Sequence, residues 1–547
     1  MMVGNLFSNF AKATGRNLTD FKRAQGGNIA VVFALSLMPV VAGVGGAVDF
    51  GRAYVAKARL LEAIDAAALA VGSSQLVDED KMTELAQKYF DANYDNKGIG
   101  DNGKINLSAV DGTISITANA HLKTVLLGVV GMDTIDVGAK TTVVRESKAL
   151  EVALVLDNTG SMGNSGKLTA LKTAASTMTK ILFGDNTTHP KLKIGLVPFS
   201  QTVKVGPDAK KLGWMDENAQ SSLHGENFVS ETSTSFLEGP AEPKFAAIDA
   251  WADAVGSSHI MNAAASSASK SATKVNIFSL YDEIKNVSWG GCVESRPEPY
   301  DTSDDTPSSG TPDTLFVPYF YPDEPDNNHN VINNYLKDGV SGAFHKRQES
   351  IAKYKNANVS SKYAGPNYGC NIPAITSLTN VKASVLSAVD AMGASGYTHI
   401  PLGLAWGWRI LSPSAPYTEG AAYDDDDTTK ALIVLTDGMN TIQKQKNENL
   451  SSYTAYGYLH NMRFGNASLP DSVKKLNTKT ATLCNKVKAA GIRVYTITFK
   501  LNNSDTQKLF RECATEPGLY FNSPSNEQLQ SSFTAIARDL SNLRISK

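Results

Sequence analysis

The chain has 547 residues, with 52 Lys and Arg against 54 Asp and Glu, and four cysteines. That length exceeds what one hydrophobic core holds and points to two to four domains. A formal net charge of −2, with no basic cluster carrying interleaved aromatics, excludes nucleic acid as a partner.

Residues 1–27 read as a cytoplasmic tail. Ile29–Val48, IAVVFALSLMPVVAGVGGAV, runs twenty residues without a charge, about 30 Å as helix and enough to cross a bilayer. DFGRAY follows, and the helical pattern continues where a secretory signal would carry a small-x-small cleavage site. Residues 28–48 are therefore expected to be an uncleaved transmembrane anchor. Lys12, Arg16, Lys22 and Arg23 precede it, while Arg52, Lys57 and Arg59 follow. Four cations against three favour a cytoplasmic N-terminus. The bulk of the chain then lies on the far side of the membrane. Cys292, Cys370, Cys484 and Cys513 show no zinc-like spacing and fit either two disulfides or four buried thiols. An extracytoplasmic location favours pairs.

Residues 49–148 read as a stalk helix and a small α+β module. From Phe50 to about Asn93 the pattern is helical, with Tyr54, Leu61 and Ala68 at heptad spacing and Ile64 and Val71 widening the stripe. Such a helix either packs on the module that follows or, as in a pilin, joins an assembly. INLSAV, GTISITANA and TIDVGAKTTVV carry strand signals, with the short apolar LKTVLLGVVG among them.

A different rhythm occupies 149–547. ALEVALVLD is a continuous apolar run, as expected of a strand buried on both faces. KLTALKTAASTMTKIL is an amphipathic helix and KLKIGLVPFS a second strand; NVKASVLSAVDAM (helix), KALIVLTDG (strand), TATLCNKVKAAG (helix) and IRVYTITF (strand) follow later. A short helix at TQKLFRECA, a strand GLYFN and the helix NEQLQSSFTAIARDLSNL complete the series. Apolar strands alternating with amphipathic helices predict an α/β domain with a doubly wound, mostly parallel sheet. Residues 202–377 break the rhythm, being rich in Ser, Asn, Asp, Pro and aromatics. Too long for a plain loop, they are expected to form an irregular insertion.

Sites in such a sheet form where strands end at their carboxyl edge. Three loops leave that edge with oxygen-bearing side chains: Asp157, Thr159 and Ser161 in DNTGSM, Thr398 in GASGYTHIPLGLAWG, and Asp437 in VLTDGMN. Each alone reads as a strand-end turn or helix cap. Together they offer two carboxylates and three hydroxyls, a set suited to a hard divalent cation: Mg²⁺ foremost, Mn²⁺ or Ca²⁺ as alternatives. So few charges leave the ion partly uncompensated, and an acidic side chain of a protein partner can complete its shell. The run YDDDDTTK, Tyr423–Lys430, reads as a solvated loop, His399 as a loop residue, and the eight histidines show no ligand spacing.

This pattern resembles a von Willebrand factor A domain with its metal-ion-dependent adhesion site. The family's ligand positions fall on Asp157, Thr159, Ser161, Thr398 and Asp437, with Thr159 where serine is usual. The segment GGNIAVVFALSLMPVVAGVGGAVDFGRAYVAKARLLEAIDAAALA resembles the leader of TadG-like proteins of the tight-adherence (Flp) pilus system, which join a single anchor to such a domain. WGGCVESRPEPY, FRECAT and the terminal LRIS add to the likeness. If Gly27 were a prepilin-type processing glycine, the glutamate of related pseudopilins would fall at Val32. The resemblance implies pairing of Cys484 with Cys513 and of Cys292 with Cys370. It also implies a single-pass protein of the bacterial inner membrane, its bulk periplasmic or pilus-associated. Its partners would be pilus or secretion-machinery proteins, bound without catalysis.

Two rivals differ in class. DNTGS also resembles the DKTGT of P-type ATPases, which suggests a Mg²⁺-dependent phosphotransferase of haloacid-dehalogenase type. Asn158 follows the aspartate in place of the lysine, however, and no second acid stands close behind Asp437. The other rival is a structural envelope protein whose site is vestigial.

Overall fold

The computed structural model describes residues 27–74, 76, 78–94, 104–110, 113–144, 148–229, 274–326, 331–361 and 363–545. The expected tail up to residue 26, and residues 230–273 of the expected insertion, lie outside this set. The chain divides into two compact units, residues 1–147 and 148–546.

The first unit opens with helix α1, Gly27–Ser73, 47 residues long. Its first twenty-odd residues are apolar and almost wholly exposed, among them Ile29, Phe33, Leu35 and Met38. The second half is amphipathic: Leu60, Ala63, Ile64, Ala67, Ala68 and Val71 recur at spacings of three and four and are fully buried. The expected stripe is met at Ile64, Ala68 and Val71, with Leu61 half-buried against them, and fails at Tyr54, which is 76% exposed. A continuous helix to Asn93 is also corrected. The chain breaks after Ser73, and helix α2, Glu79–Asn93, starts afresh with Asp78 accepting from the Lys81 amide at 3.0 Å. Strands β1 (Ile105–Val110), β2 (Thr113–Lys123) and β3 (Thr134–Val144) form an antiparallel meander. Ile114, Ile116, Ala118 and Ala120 alternate inward from β2 onto α1, Met82, Ala86 and Phe90.

The second unit is a mixed α/β structure. Strand β4 (Ala149–Asp157) leads through helix α3 (Lys167–Phe183) to β5 (Leu192–Phe199) and the two-residue β6 (Val203–Lys204). Helix α4 (Ile277–Asp282), strand β7 (Cys292–Val293) and helix α5 (Phe344–Glu349) lie within the irregular region. There follow β8 (Thr376–Thr379), α6 (Lys382–Asp390), α7 (Ile400–Leu411) and β9 (Thr428–Thr436). Helix α8 (Leu469–Ala489), β10 (Arg493–Phe499), α9 (Ser504–Cys513), β11 (Tyr520–Ser523) and α10 (Asn526–Ile545) complete the unit. The six-stranded sheet has the order β11-β10-β9-β4-β5-β8, parallel throughout except where β8 pairs antiparallel with β5. Its last strand, β8, lies at the end of what the sequence suggested was insertion.

Helices cover both faces. Leu150, Val152, Leu154 and Leu156 of β4 pack with residues of α3, α6 and α10. Ala153 and Val155 face the other way, toward α7, α8 and the aromatics of the irregular region. Gly407 permits α7 to lie close: a Cβ there would come within 2.3 Å of Val155 Cγ2. The irregular region is part of this second core. Trp214, Phe228, Phe278, Tyr281, Phe316, Phe320 and Tyr354 are buried in one cluster with the sheet residues. It also interlocks with residues 440–468, a stretch the sequence did not single out. There Tyr453 packs on Tyr319 and Tyr321, and Arg463 pairs with Glu294 and Glu226. Disulfides join Cys292 to Cys370 and Cys484 to Cys513, the pairing the resemblance implied.

Candidate metal centre

The strand order reverses its winding between β4 and β9. From β4 the chain proceeds to β5 on one side; from β9 it proceeds to β10 and β11 on the other. A crevice at such a switch point is where open α/β sheets hold their ligands. Parallel pairing sets Leu156 opposite Leu435, so Asp157 stands beside Thr436, with Asp437 one residue further.

Asp157 is fully buried. Its Oδ1 accepts the Thr159 amide at 2.8 Å and its Oδ2 the Thr436 hydroxyl at 2.7 Å. Burial first, and the neighbouring Asp437 carboxylate second, push its carboxyl up to about 6. Thr159 precedes a single 3₁₀ turn, Gly160–Gly163, that points Ser161 back toward the strand ends. The Thr159 and Ser161 hydroxyl oxygens are 3.0 Å apart, and Ser161 Oγ donates to Asp437 Oδ1 at 2.6 Å. Four of the five expected residues thus form one connected cluster: Asp157, Thr159, Ser161 and Asp437.

Thr398 arrives from the loop before α7. It is buried, its carbonyl accepts the Thr441 amide at 2.9 Å, and its hydroxyl lies 3.4 Å from where a Cβ on Gly438 would stand. Its oxygen therefore abuts the Asp437–Gly438 turn, and glycine at 438 makes room for it. The Thr398 loop is braced against the first loop: the Gly160 amide donates to Gly396 O at 2.9 Å and the Ser395 amide to Asn158 O at 2.7 Å. Gln201 holds it from below, its Oε1 accepting the Tyr397 amide at 2.8 Å.

Three participants escaped the sequence reading. Lys167, the first residue of α3, donates to Asp437 Oδ2 at 2.7 Å. It stood in view in DNTGSMGNSGK, but nothing local says that the helix start faces the third loop. Thr436 and Gln201 lie on or just past strands, where a hydroxyl or amide reads as an ordinary edge residue. His399, next to Thr398, is buried, and burial holds its imidazole down to about 4, hence neutral. The expected solvated loop is a mostly exposed turn only over residues 423–427, where Asp425 accepts the Thr428 hydroxyl at 2.8 Å; Thr428–Lys430 already belong to β9, and Lys430 is buried.

Does this set fit a divalent cation? Among the described residues no group of three or more His, Cys, Asp or Glu is placed to hold one, so a cage of charged ligands is absent there. Two carboxylates share one lysine, and each carboxylate oxygen keeps lone-pair capacity beyond the bonds named above. The remaining donors are neutral hydroxyls. An ion that keeps several waters and dislikes full protein cages matches this chemistry.

Residues 27–74 match the family described as "Putative Flp pilus-assembly TadE/G-like". No curated protein matches the chain. Among solved structures, the pilus adhesin SpaC from Lactobacillus rhamnosus GG is 10% identical over 82% of this chain and 35% of its own, with a TM-score of 0.31. The vWF domain of the type V pili tip protein Mfa5 from Porphyromonas gingivalis is 9% identical over 73% of this chain and 97% of its own, TM-score 0.31. The pilus adhesin RrgA from Streptococcus pneumoniae is 9% identical over 80% and 49%, TM-score 0.31. The chain spans about a third of SpaC's length and half of RrgA's. At its N-terminal segment the chain is therefore similar to a pilus-assembly family.

Proposed function

We propose that the chain is a membrane-anchored protein of a tight-adherence (Flp) pilus-assembly system. Its larger unit would be a doubly wound, von Willebrand A-like domain that binds protein partners through a divalent cation. The apolar first half of α1 crosses the inner membrane, and the rest of the first unit beyond it and the whole second unit lie in the periplasm. Asp157, Thr159, Ser161, Thr398 and Asp437 would hold the ion, the hydroxyls directly and the two acids directly or through water, and the ion would supply the positive charge that a partner's acid meets. An acidic side chain of a pilus or secretion-machinery protein completes the shell. Catalysis has no part in this function.

One observation carries the proposal: Ser161 and Asp437, 276 residues apart, meet at 2.6 Å at the winding switch point with Thr159 alongside. A vestigial site in a structural envelope protein is the second reading, favoured by the Lys167 ammonium already resting on Asp437. Thermal unfolding of the chelator-treated full-length chain with added Mg²⁺, Mn²⁺ or Ca²⁺ separates the two. A bound ion raises the midpoint by mass action, and Asp157→Ala and Asp437→Ala abolish the rise while the proteins stay folded. An unchanged midpoint in the parent protein would leave the vestigial reading standing.

A further inference from the structure

The hairpin tip joining β2 to β3 is apolar where a hairpin tip on a water-facing module is ordinarily polar. Thr124–Met132, TVLLGVVGM, carries no charge. Val125, Val129 and Met132 are 62%, 71% and 51% exposed. The tip leans on α1 at the end of the helix's apolar run. Gly45, Gly46 and Asp49 are the helix residues buried beneath it. A Cβ on Gly45 would come within 2.6 Å of Leu126 Cβ, and one on Gly46 would touch Leu127 at 3.8 Å. The run Ile29–Val48 ends only three residues beyond Gly45, about 4.5 Å along the axis. The tip therefore stands level with the last turn of the membrane-length segment.

Its backbone is prepared for a place poor in water, where an unpaired amide is costly. The Asp49 carboxylate accepts the amides of Val125, Leu126 and Leu127, each at 2.9 Å. Thr124, Val129, Gly131 and Met132 donate their amides to carbonyls within the tip and its flank, and the Thr124 hydroxyl closes on Met132 O at 2.6 Å. Arg52 and Lys123 sit just outside the apolar tip, where headgroup phosphates would be, with Arg52 Nη1 on the Lys123 carbonyl at 3.3 Å. Asp133 and Asp136 follow on the same rim, so charge alone does not draw this surface to lipid; apolar area does.

We infer that the Thr124–Met132 tip is a second membrane contact, inserting Val125, Val129 and Met132 into the leaflet from which α1 emerges. This rests on α1 being the membrane anchor. The module would then be held at a fixed height and tilt on the bilayer by two points in place of one, so that α1 could not swivel freely beneath it.

The test is site-directed spin labelling of the full-length chain in phosphatidylcholine–phosphatidylglycerol nanodiscs. Nitroxides go on Val129→Cys, on Leu35→Cys in the middle of the apolar run, and on Tyr89→Cys on exposed α2. Collision with oxygen reports lipid, and collision with a polar nickel chelate reports water. The expected result is an oxygen-to-nickel ratio at Val129→Cys shifted from the Tyr89→Cys value toward that of Leu35→Cys. A Leu35→Cys label in lipid with Val129→Cys open to nickel overturns the second contact and leaves the anchor standing. Shielding of Val129→Cys from both reagents means that protein covers the tip, and this too overturns it. A Leu35→Cys label open to nickel removes the anchor and the contact together.

Discussion

The irregular region and the strand-end site of the larger unit both bury carboxylates, and they treat them differently. Among the described residues of the irregular region each buried acid meets a resident cation or a set of amides. Asp323 accepts the Tyr335 and Leu336 amides at 2.6 and 2.8 Å and faces Lys353 Nζ at 2.9 Å. Glu294 is held by Arg463 and the Tyr453 hydroxyl, and Glu324 by the Ile332 and Asn333 amides together with Asn449. Burial pushes all three upward, and these partners pull them back. At the strand ends the arrangement is leaner. Asp157 and Asp437 have one lysine between them, and Asp437 itself adds to the upward push on Asp157. Satisfied acids serve as structural staples; an undersupplied pair is where an added cation gains most.

This contrast can be broken or sharpened by measurement. The largest effect belongs to the staples. Lys353→Met leaves Asp323 as an uncompensated buried charge and is expected to cost roughly 3–5 kcal/mol in denaturant unfolding. Any molecules that remain folded keep their divalent response. Replacing Cys484 and Cys513 by serine opens a loop with a sequence separation of 29. That change should cost roughly 3 kcal/mol, again with metal binding retained. If either change abolished the response to Mg²⁺, the two regions would not be independent.

Saturating the site comes next: Mg²⁺ at a hundredfold excess over its Kd should stabilise by about 2.7 kcal/mol. The gain should depend on pH with a definite sign. With its pKa raised in the folded state, Asp157 contributes stability that is full below the ordinary carboxylate range and is lost as pH rises through about 6. Mg²⁺ binds the ionised form, so the stabilisation by Mg²⁺ should grow from pH 5 to pH 7.5 and flatten in Asp157→Asn. A response that shrinks over that range contradicts the assignment. The smallest effect is that of Lys167→Met. Removing the ammonium 2.7 Å from Asp437 should tighten Mg²⁺ binding several-fold if the lysine competes with the ion. Weaker binding would instead make Lys167 part of the scaffold that aims Asp437.

Regular elements were legible because burial imposes a period. ALEVALVLD is apolar at nearly every position since β4 is covered on both faces, and the parallel order follows from the alternation with helices. The site residues were legible for a related reason: a carboxyl-edge loop is identified as soon as its strand is. Thr436 and Lys167 were not, because their roles depend on which loops converge. The helical stripe missed at Tyr54 because the small residues Ala53 and Ala56, not the large aromatic, are what Leu122 and Val137 cover at that level of the helix. The irregular region was opaque because its core is made of aromatic side chains on non-repeating backbone, such as Phe228, Phe320 and Tyr354 edge to face. No period in the sequence announces that the described parts of 202–377 interlock with residues 440–468.

Calorimetric titration of Mg²⁺ into the chelator-treated full-length chain bears most directly on the metal centre. One site per chain is expected in the parent and in Cys484→Ser/Cys513→Ser, and none in Asp437→Ala. Equal uptake by the parent and Asp437→Ala, or no uptake by either, would contradict the account.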